Sequence, residues 1–233
     1  ELSSGETLVY DKLLLTTGAR VRKLSIPGAD LPGVHYLRSM DESLAIRERL
    51  VAGARLVVVG GGYIGLEAAS AARTRGCEVV ILEAADRILN RVVAPEISRF
   101  YEDLHRANGV DIRTGVKLLE FTGDGKVEAV VCEGGVTCPA DFVIVGIGVE
   151  ADSGLAEAAG LAVDNGIVVD AYGQTSDEHI YAAGDVANQP NELLGRRLRL
   201  ESWQNAQNQA IAVARVMCGG TEPHQELPWF WSD

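Results

Sequence analysis

An α/β fold with a doubly wound parallel sheet is predicted by three features of this 233-residue sequence. Short, wholly apolar runs such as "LVVV" (56–59) and "VVIL" (79–82) have the composition of strands buried on both faces. Segments of helical period lie between them. A glycine cluster, "GGGYIG" (60–65), sits where one such run meets the next helix. Alternation of strand and helix is the pattern of a parallel sheet with crossover helices.

The elements follow in order. "ETLVYDKLLLTTGA" (6–19) reads as two short strands around Tyr10 and Asp11. Ser39 and Glu42 form an S-x-x-E capping box, with Leu44, Ile46 and Leu50 behind it and Gly53 as the stop. Leu56 to Val59 is a buried strand, Ile64 to Arg75 an alanine-rich helix ended by Gly76, and Val79 to Leu82 the next strand. Pro95 opens another helix, whose apolar face is expected at Ile97, Phe100, Tyr101 and Leu104, with Gly109 past its end. The period then changes to two. Val116 to Phe121, Val127 to Cys132 and Val136 to Cys138, joined at Asp124-Gly125 and Gly134-Gly135, read as an antiparallel β-meander before the strand Phe142 to Val145. Strands at Ile167 to Val169 and Ile180 to Ala183, and a helix from Ser202 to Met217, complete the chain. Trp229, Phe230 and Trp231 crowd the last residues, where a free terminus offers no core, so the sequence is expected to be part of a longer polypeptide.

Composition narrows the function classes. The net charge of −12 argues against nucleic-acid or anionic-membrane binding. No apolar run reaches the ~18 residues of a membrane span, and the N-terminal residues lack a secretory signal pattern. Cys77, Cys132, Cys138 and Cys218 contain no C-x-x-C, and His35, His105, His179 and His224 show no metal spacing. Cys132 and Cys138 could face each other across the hairpin; as free strand thiols they fit a reducing compartment, and a cytoplasmic location is expected.

Gly60, Gly62 and Gly65 make G-x-G-x-x-G. Alone that signal is weak, but a strand precedes it, a helix follows, and Glu83 closes the next strand at about the 20-residue spacing of a dinucleotide fingerprint. Gly60 permits the turn, Gly62 admits a pyrophosphate, and Gly65 lets helix and strand pack closely. The helix N-terminus faces the phosphates. Glu83 is expected to accept the adenosine ribose hydroxyls and repel a 2′-phosphate. Ala84 and Ala85 follow it and Arg87 is the nearest cation, so NADH is expected over NADPH. Farther on, "HIYAAGDVA" (179–187) leaves Gly184 and Asp185 at a strand's carboxyl end, where open α/β sheets bind ligands or where an aspartate simply caps a turn.

"YDKLLLTTGA", "IPGADLPGVHYLRSMDES", "VVVGGGYIGLEAA", "VIVGIGVEAD", "IYAAGDVA", "RLRLESWQNAQNQA" and "PWFWSD", in this order, resemble the flavin-dependent NADH–ferredoxin reductases of the pyridine nucleotide-disulfide oxidoreductase superfamily. The resemblance implies a Rossmann-like NADH-binding domain carrying the meander and part of a second, FAD-binding domain. The implied bounds are 1–34 and 150–222 for FAD, 35–149 for NADH, and 223–233 for the start of a C-terminal domain. The family's own N-terminal FAD fingerprint is not among these residues. Implied cofactors are FAD and NAD. The implied reaction is hydride transfer from NADH to FAD, then single electrons to a [2Fe-2S] ferredoxin that feeds an oxygenase.

Residue by residue, the resemblance implies that Thr17 and Gly18 pass beside FAD and that Asp185, after Gly184, holds its ribityl chain. Glu201, Ser202 and Trp203 would pack against the isoalloxazine. Tyr63 and Glu67 would shield the flavin and hold the nicotinamide, Glu67 being read as a first-turn glutamate or, alternatively, a solvated one. Ile64 and Gly148 are further cofactor-binding candidates. Trp203 would line the stacked rings, unless it is a core tryptophan. Arg196, Arg197 and Arg199, the densest cationic run, are candidates for docking the ferredoxin or, alternatively, a plain solvated charge cluster. Alternatives on the same scaffold are an NADH-dependent disulfide reductase or NADH oxidase, or an NADH-binding module without turnover.

Overall fold

In the computed structural model, which describes residues 1–232, the chain forms two compact units, residues 1–20 with 149–232, and residues 21–148. The second unit begins before the boundary expected at residue 35. Residues 24–31 supply Leu24, Ile26, Ala29 and Leu31 to its core. Their backbone is tied to the meander by Phe121 N–H to Pro27 O (3.0 Å) and Val127 N–H to Pro32 O (2.9 Å).

The unit of residues 21–148 is built on a five-stranded, wholly parallel sheet in the order Val34–Tyr36, Phe142–Val145, Arg55–Val59, Glu78–Leu82, Val110–Arg113. Side chains alternate across it. Leu56, Val58, Val79, Ile81 and Ile144 face Leu66, Ala69 and Ala72 of the helix Tyr63–Thr74 and Ile46 of the helix Met40–Arg49. Val57, Val59, Val143 and Val145 face Phe121, Val127, Val130, Cys132 and Cys138 of the meander Leu118–Thr122, Ala129–Cys132 and Thr137–Pro139. The insertion therefore covers the face where a second helical layer would otherwise lie. Each fully buried valine or leucine contributes about 1.5–3 kcal/mol. The capping box forms: Ser39 Oγ accepts the Glu42 N–H, and Glu42 Oε2 accepts the Ser39 N–H at 2.8 Å.

The four cysteines are free, as the sequence reading favours, with Cys132 and Cys138 buried in the meander core. Two expectations are corrected. Before Leu13–Leu15 no strand forms, and Val9 is 97% exposed. The helix Pro95–Ala107 turns its apolar stripe outward, leaving Phe100 60% exposed beside Ile97, Tyr101 and Leu104. Its inner face is polar because Ser98, Glu102 and Arg106 satisfy backbone and side-chain groups of the adjoining loop and strand. Ser98 Oγ donates to Ile88 O (2.7 Å) and accepts from Arg87 (2.6 Å), while Arg106 Nη1 pairs with Glu102 (3.0 Å).

The central strand is anchored at its start by Asp141, which accepts the Arg55 backbone N–H (2.8 Å) and pairs with its guanidinium (2.7 Å). Arg55 pulls the Asp141 carboxyl down to about 2. Because the folded-state value is depressed, the stabilisation is complete above the ordinary carboxylate range and disappears as pH falls through about 2. The melting-temperature gap between the protein and Asp141→Asn is therefore expected to close between neutral pH and pH 2; a gap independent of pH would contradict it.

The unit of residues 1–20 and 149–232 holds the parallel pair Leu13–Leu15 with Ile180–Ala182 and the ribbon Ala19–Val21 with Val149–Ala151. It also holds a three-stranded sheet ordered Ile167–Val168, Ala187–Asn191, Arg196–Arg199. The helix Trp203–Met217 packs through Val213 against Tyr181 and Ala183. No helix among the described residues is long and apolar enough to cross a membrane.

Candidate functional site

The crevice of the 21–148 unit opens at the carboxyl ends of the two central strands. Gly60 takes a φ of 108°, and a Cβ there would lie 2.4 Å from Gly146 O. At Gly65 a Cβ would lie 2.2 Å from Gly60 O, so helix and turn are in direct backbone contact. Gly62 differs: it is the helix N-cap, its backbone is extended, and a Cβ would meet nothing within 4 Å. The glycine turn is thus closed against protein at Gly60 and Gly65 and open at Gly62.

No side chain caps this helix, and its first turn carries no acid. Glu67 lies in the second turn, exposed, because the helix starts at Tyr63. The reading of Glu67 as a first-turn residue is corrected accordingly. An acid-free N-terminus keeps the positive end of the helix dipole available to an anion. Tyr63 packs partly into the core, and Ile64 is exposed beside the turn.

Glu83 does more than mark the end of its strand. Its Oε2 accepts the Gly61 N–H at 2.7 Å and its Oε1 accepts the Ala85 N–H at 2.8 Å. One carboxylate therefore ties the glycine turn to the loop after the second strand. Each carboxylate oxygen retains acceptor capacity, so the same group can receive a diol. Arg87 is turned away from it, donating to Val93 O (3.0 Å), Ser98 Oγ (2.6 Å) and Asn90 O (2.8 Å). The nearest cation in sequence is a brace for the loop. Leu89 holds a φ of 52°, a strained conformation for leucine, and its N–H donates to Gly61 O at 2.9 Å.

In the other unit, Leu13–Leu15 and Ile180–Ala182 run parallel with Leu15 opposite Ala182. Thr17-Gly18 and Gly184-Asp185 therefore emerge from adjacent carboxyl ends, the usual place for a ligand in such sheets. Thr17 Oγ1 donates to Asp152 O (2.5 Å), and Gly18 has a φ of 70°. The Gly184 N–H donates to Oε1 of the buried Gln209 (2.8 Å), whose Nε2 donates to Gln189 (2.7 Å). Ser202 caps the long helix, accepting the Asn205 N–H at 3.1 Å. Arg199 gathers this cluster: Nη1 donates to Asp185 O (3.0 Å) and Nη2 pairs with Glu201 at 2.6 Å.

That network removes Arg199 from the cationic run read as a docking candidate, and leaves Arg196 and Arg197 exposed. The Arg199 side chain is 8% exposed and engaged with Glu201 and Asp185, and Arg197 folds back onto Val169 O and Asn188 O. Trp203 is 66% exposed, which excludes the core-tryptophan alternative, and its ring meets Trp231 edge-on at 6.2 Å. Gln209 was not singled out by the sequence reading, whose one signal for it is the density of amides in "WQNAQNQA", and Arg199 was singled out for docking and not for this cluster.

The Gly62 opening, the uncapped helix and the Glu83 acceptor fit a dinucleotide's diphosphate and ribose. The strand ends at Thr17-Gly18 and Gly184-Asp185 lie side by side, in the position a ligand takes in such sheets. Comparisons with known proteins show the family. The sequence model described as pyridine nucleotide-disulphide oxidoreductase matches residues 1–210. Putidaredoxin reductase of Pseudomonas putida is 48% identical over 238 residues, covering 100% of this chain and 56% of that protein. Rhodocoxin reductase of Rhodococcus erythropolis is 44% identical, covering 100% and 55%. Among solved structures, the covalent putidaredoxin reductase–putidaredoxin complex matches with a TM-score of 0.95 at 47% identity, covering 99% of this chain and 57% of that one. The chain thus spans a little over half the length of these relatives.

Proposed function

Because the chain belongs to the pyridine nucleotide-disulphide oxidoreductase family, we propose that its two units are the nucleotide-handling part of a reductase. That enzyme takes electrons from NADH through FAD to a [2Fe-2S] ferredoxin serving an oxygenase. The observation that carries the reading is the turn open at Gly62 with Glu83 bonded beside it. We assign NADH to residues 21–148 and part of the FAD site to residues 1–20 and 149–222, with residues 223–233 as the start of a further domain. Relatives at 44–48% identity that carry reductase names support the assignment. So does the solved complex of putidaredoxin reductase with putidaredoxin. The cytoplasm is the proposed compartment.

FAD, when bound, supplies a hydride acceptor that can pass electrons on singly. The chain's own residues supply position and charge. The N-terminal amides of the Tyr63 helix hold the diphosphate, and Glu83 accepts the ribose hydroxyls and repels a 2′-phosphate. Glu67 and Tyr63 serve the nicotinamide end. Asp185, held through its carbonyl by Arg199 and preceded by a Gly184 amide fixed by Gln209, presents its carboxylate to a ribityl hydroxyl. Trp203, already solvent-facing, offers a planar surface to a ring system.

The visible spectrum of the purified protein tests the reading. Flavin absorbance that bleaches on adding NADH supports it, whereas a colourless protein that binds NADH is a binding module without turnover. Trp203→Ala is expected to leave the melting temperature unchanged, since the ring is largely exposed, and to slow bleaching by NADH; an unaltered rate would remove Trp203 from the site.

A further inference from the structure

We propose that Arg91 is the cation that clamps the diphosphate of the bound dinucleotide. The inference rests on the dinucleotide reading above and adds a residue to that site. Arg91 belongs to the loop after the strand Glu78–Leu82, on the side of the sheet where Glu83 marks the adenosine ribose. Gly148 belongs to the turn after Phe142–Val145, the strand on the opposite side of the central Arg55–Val59. Yet a Cβ placed on Gly148 would lie only 3.8 Å from Arg91 Nη2. The guanidinium therefore comes from the loop after the strand on one side of Arg55–Val59 to the turn after the strand on its other side. A dinucleotide bound in an open α/β sheet crosses the crevice at these strand ends, with its diphosphate over the central strand's turn. The guanidinium and the diphosphate meet there.

Three further observations favour this assignment. Arg91 is exposed and has no carboxylate or carbonyl partner among the described residues, so its charge is available. The loop that carries it is pinned to the glycine turn by Leu89 N–H to Gly61 O, two residues away, which limits where Arg91 can reach. The other cation of the loop, Arg87, is spent on Ser98, Val93 and Asn90. A planar guanidinium binds two phosphate oxygens at once, and in a protein of net charge −12 a local cation offsets long-range repulsion of the ligand. The 2′-phosphate position is a poorer fit, because it lies beyond Glu83, away from Gly148.

Calorimetric titration with NADH, ADP, adenosine and NADPH tests the proposal. Arg91→Leu should weaken NADH and ADP about tenfold, as expected for a partly exposed charge-assisted pair, and reduce the salt dependence of both. Adenosine affinity should not change, and Arg91→Lys should recover part of the loss. Arg47→Leu, an equal charge change on the helix Met40–Arg49, should have no effect. Equal weakening of adenosine would place Arg91 on the base, and a loss confined to NADPH would place it on the 2′-phosphate; either result overturns the proposal, as does an unchanged NADH affinity. Failure of the unsubstituted protein to bind NADH or ADP would instead overturn the dinucleotide reading, and the clamp with it.

Discussion

Gly60→Ala is expected to destabilise the 21–148 unit by about 3 kcal/mol or more, while Gly62→Ala leaves its stability unchanged and weakens NADH at least about tenfold. The difference follows from what each new methyl would meet. At position 60 it faces Gly146 O at 2.4 Å in a left-handed backbone, so the turn must open. At position 62 it meets only open space, on an extended backbone that any residue adopts. On the proposed reading a phosphate approaches the helix amides through that open space, so the methyl would exclude ligand and disturb nothing else. Thermal melts of the two variants beside NADH titrations separate the effects. Equal loss of stability at both positions would mean that Gly62 is structural.

Glu83→Ala should act twice. Loss of the acceptor leaves the Gly61 and Ala85 amides without their partner, at a cost of about 1–3 kcal/mol reduced by partial exposure to water. It also removes the carboxylate that discriminates against a 2′-phosphate, so NADPH should gain on NADH. Glu83→Gln separates the two. It retains one acceptor oxygen for the Gly61 turn, and loses the charge that repels a phosphate. The unsubstituted protein is expected to prefer NADH, in keeping with Ala84 and Ala85 beside Glu83 and with Arg87 turned away. Comparing kcat/KM for the two coenzymes in the reductase checks this, and a clear NADPH preference would contradict it.

The central sheet was legible because parallel strands buried on both faces leave unbroken apolar runs, as in Leu56 to Val59 and Phe142 to Val145. The meander was legible because its period of two is punctuated by Gly125, Gly134 and Gly135, all at positive φ. The sheet's outer strands were not: Val34–Tyr36 and Val110–Arg113 carry His35, Asp111 and Arg113, and mixed polarity at a sheet edge hides a strand. The helix Pro95–Ala107 shows a different limit. Its period was evident, but periodicity identifies two faces without saying which one packs. Here Ser98 and Glu102 face inward because the loop above needs hydrogen-bonding partners.

The same limit applies to the site. The glycine spacing located Gly60 and Gly65, which are closed against protein, and Gly62, which is open. Arg87 is the cation nearest Glu83 in sequence, whereas its guanidinium closes the loop and Arg91 is the one whose guanidinium comes near Gly148. The run Arg196, Arg197, Arg199 read as a docking surface, yet two of its three members satisfy carbonyls and Glu201 within their own unit. Where a long side chain turns is set by partners distant in sequence, and one chain without a fold does not display them.

The most direct test of the dinucleotide cradle is a crystal of the protein soaked with NADH. The diphosphate should lie against the backbone amides at the Gly62 end of the Tyr63–Thr74 helix, with the adenosine diol on Glu83. Density for the coenzyme elsewhere, with Gly62 and Glu83 uncontacted, would contradict the account.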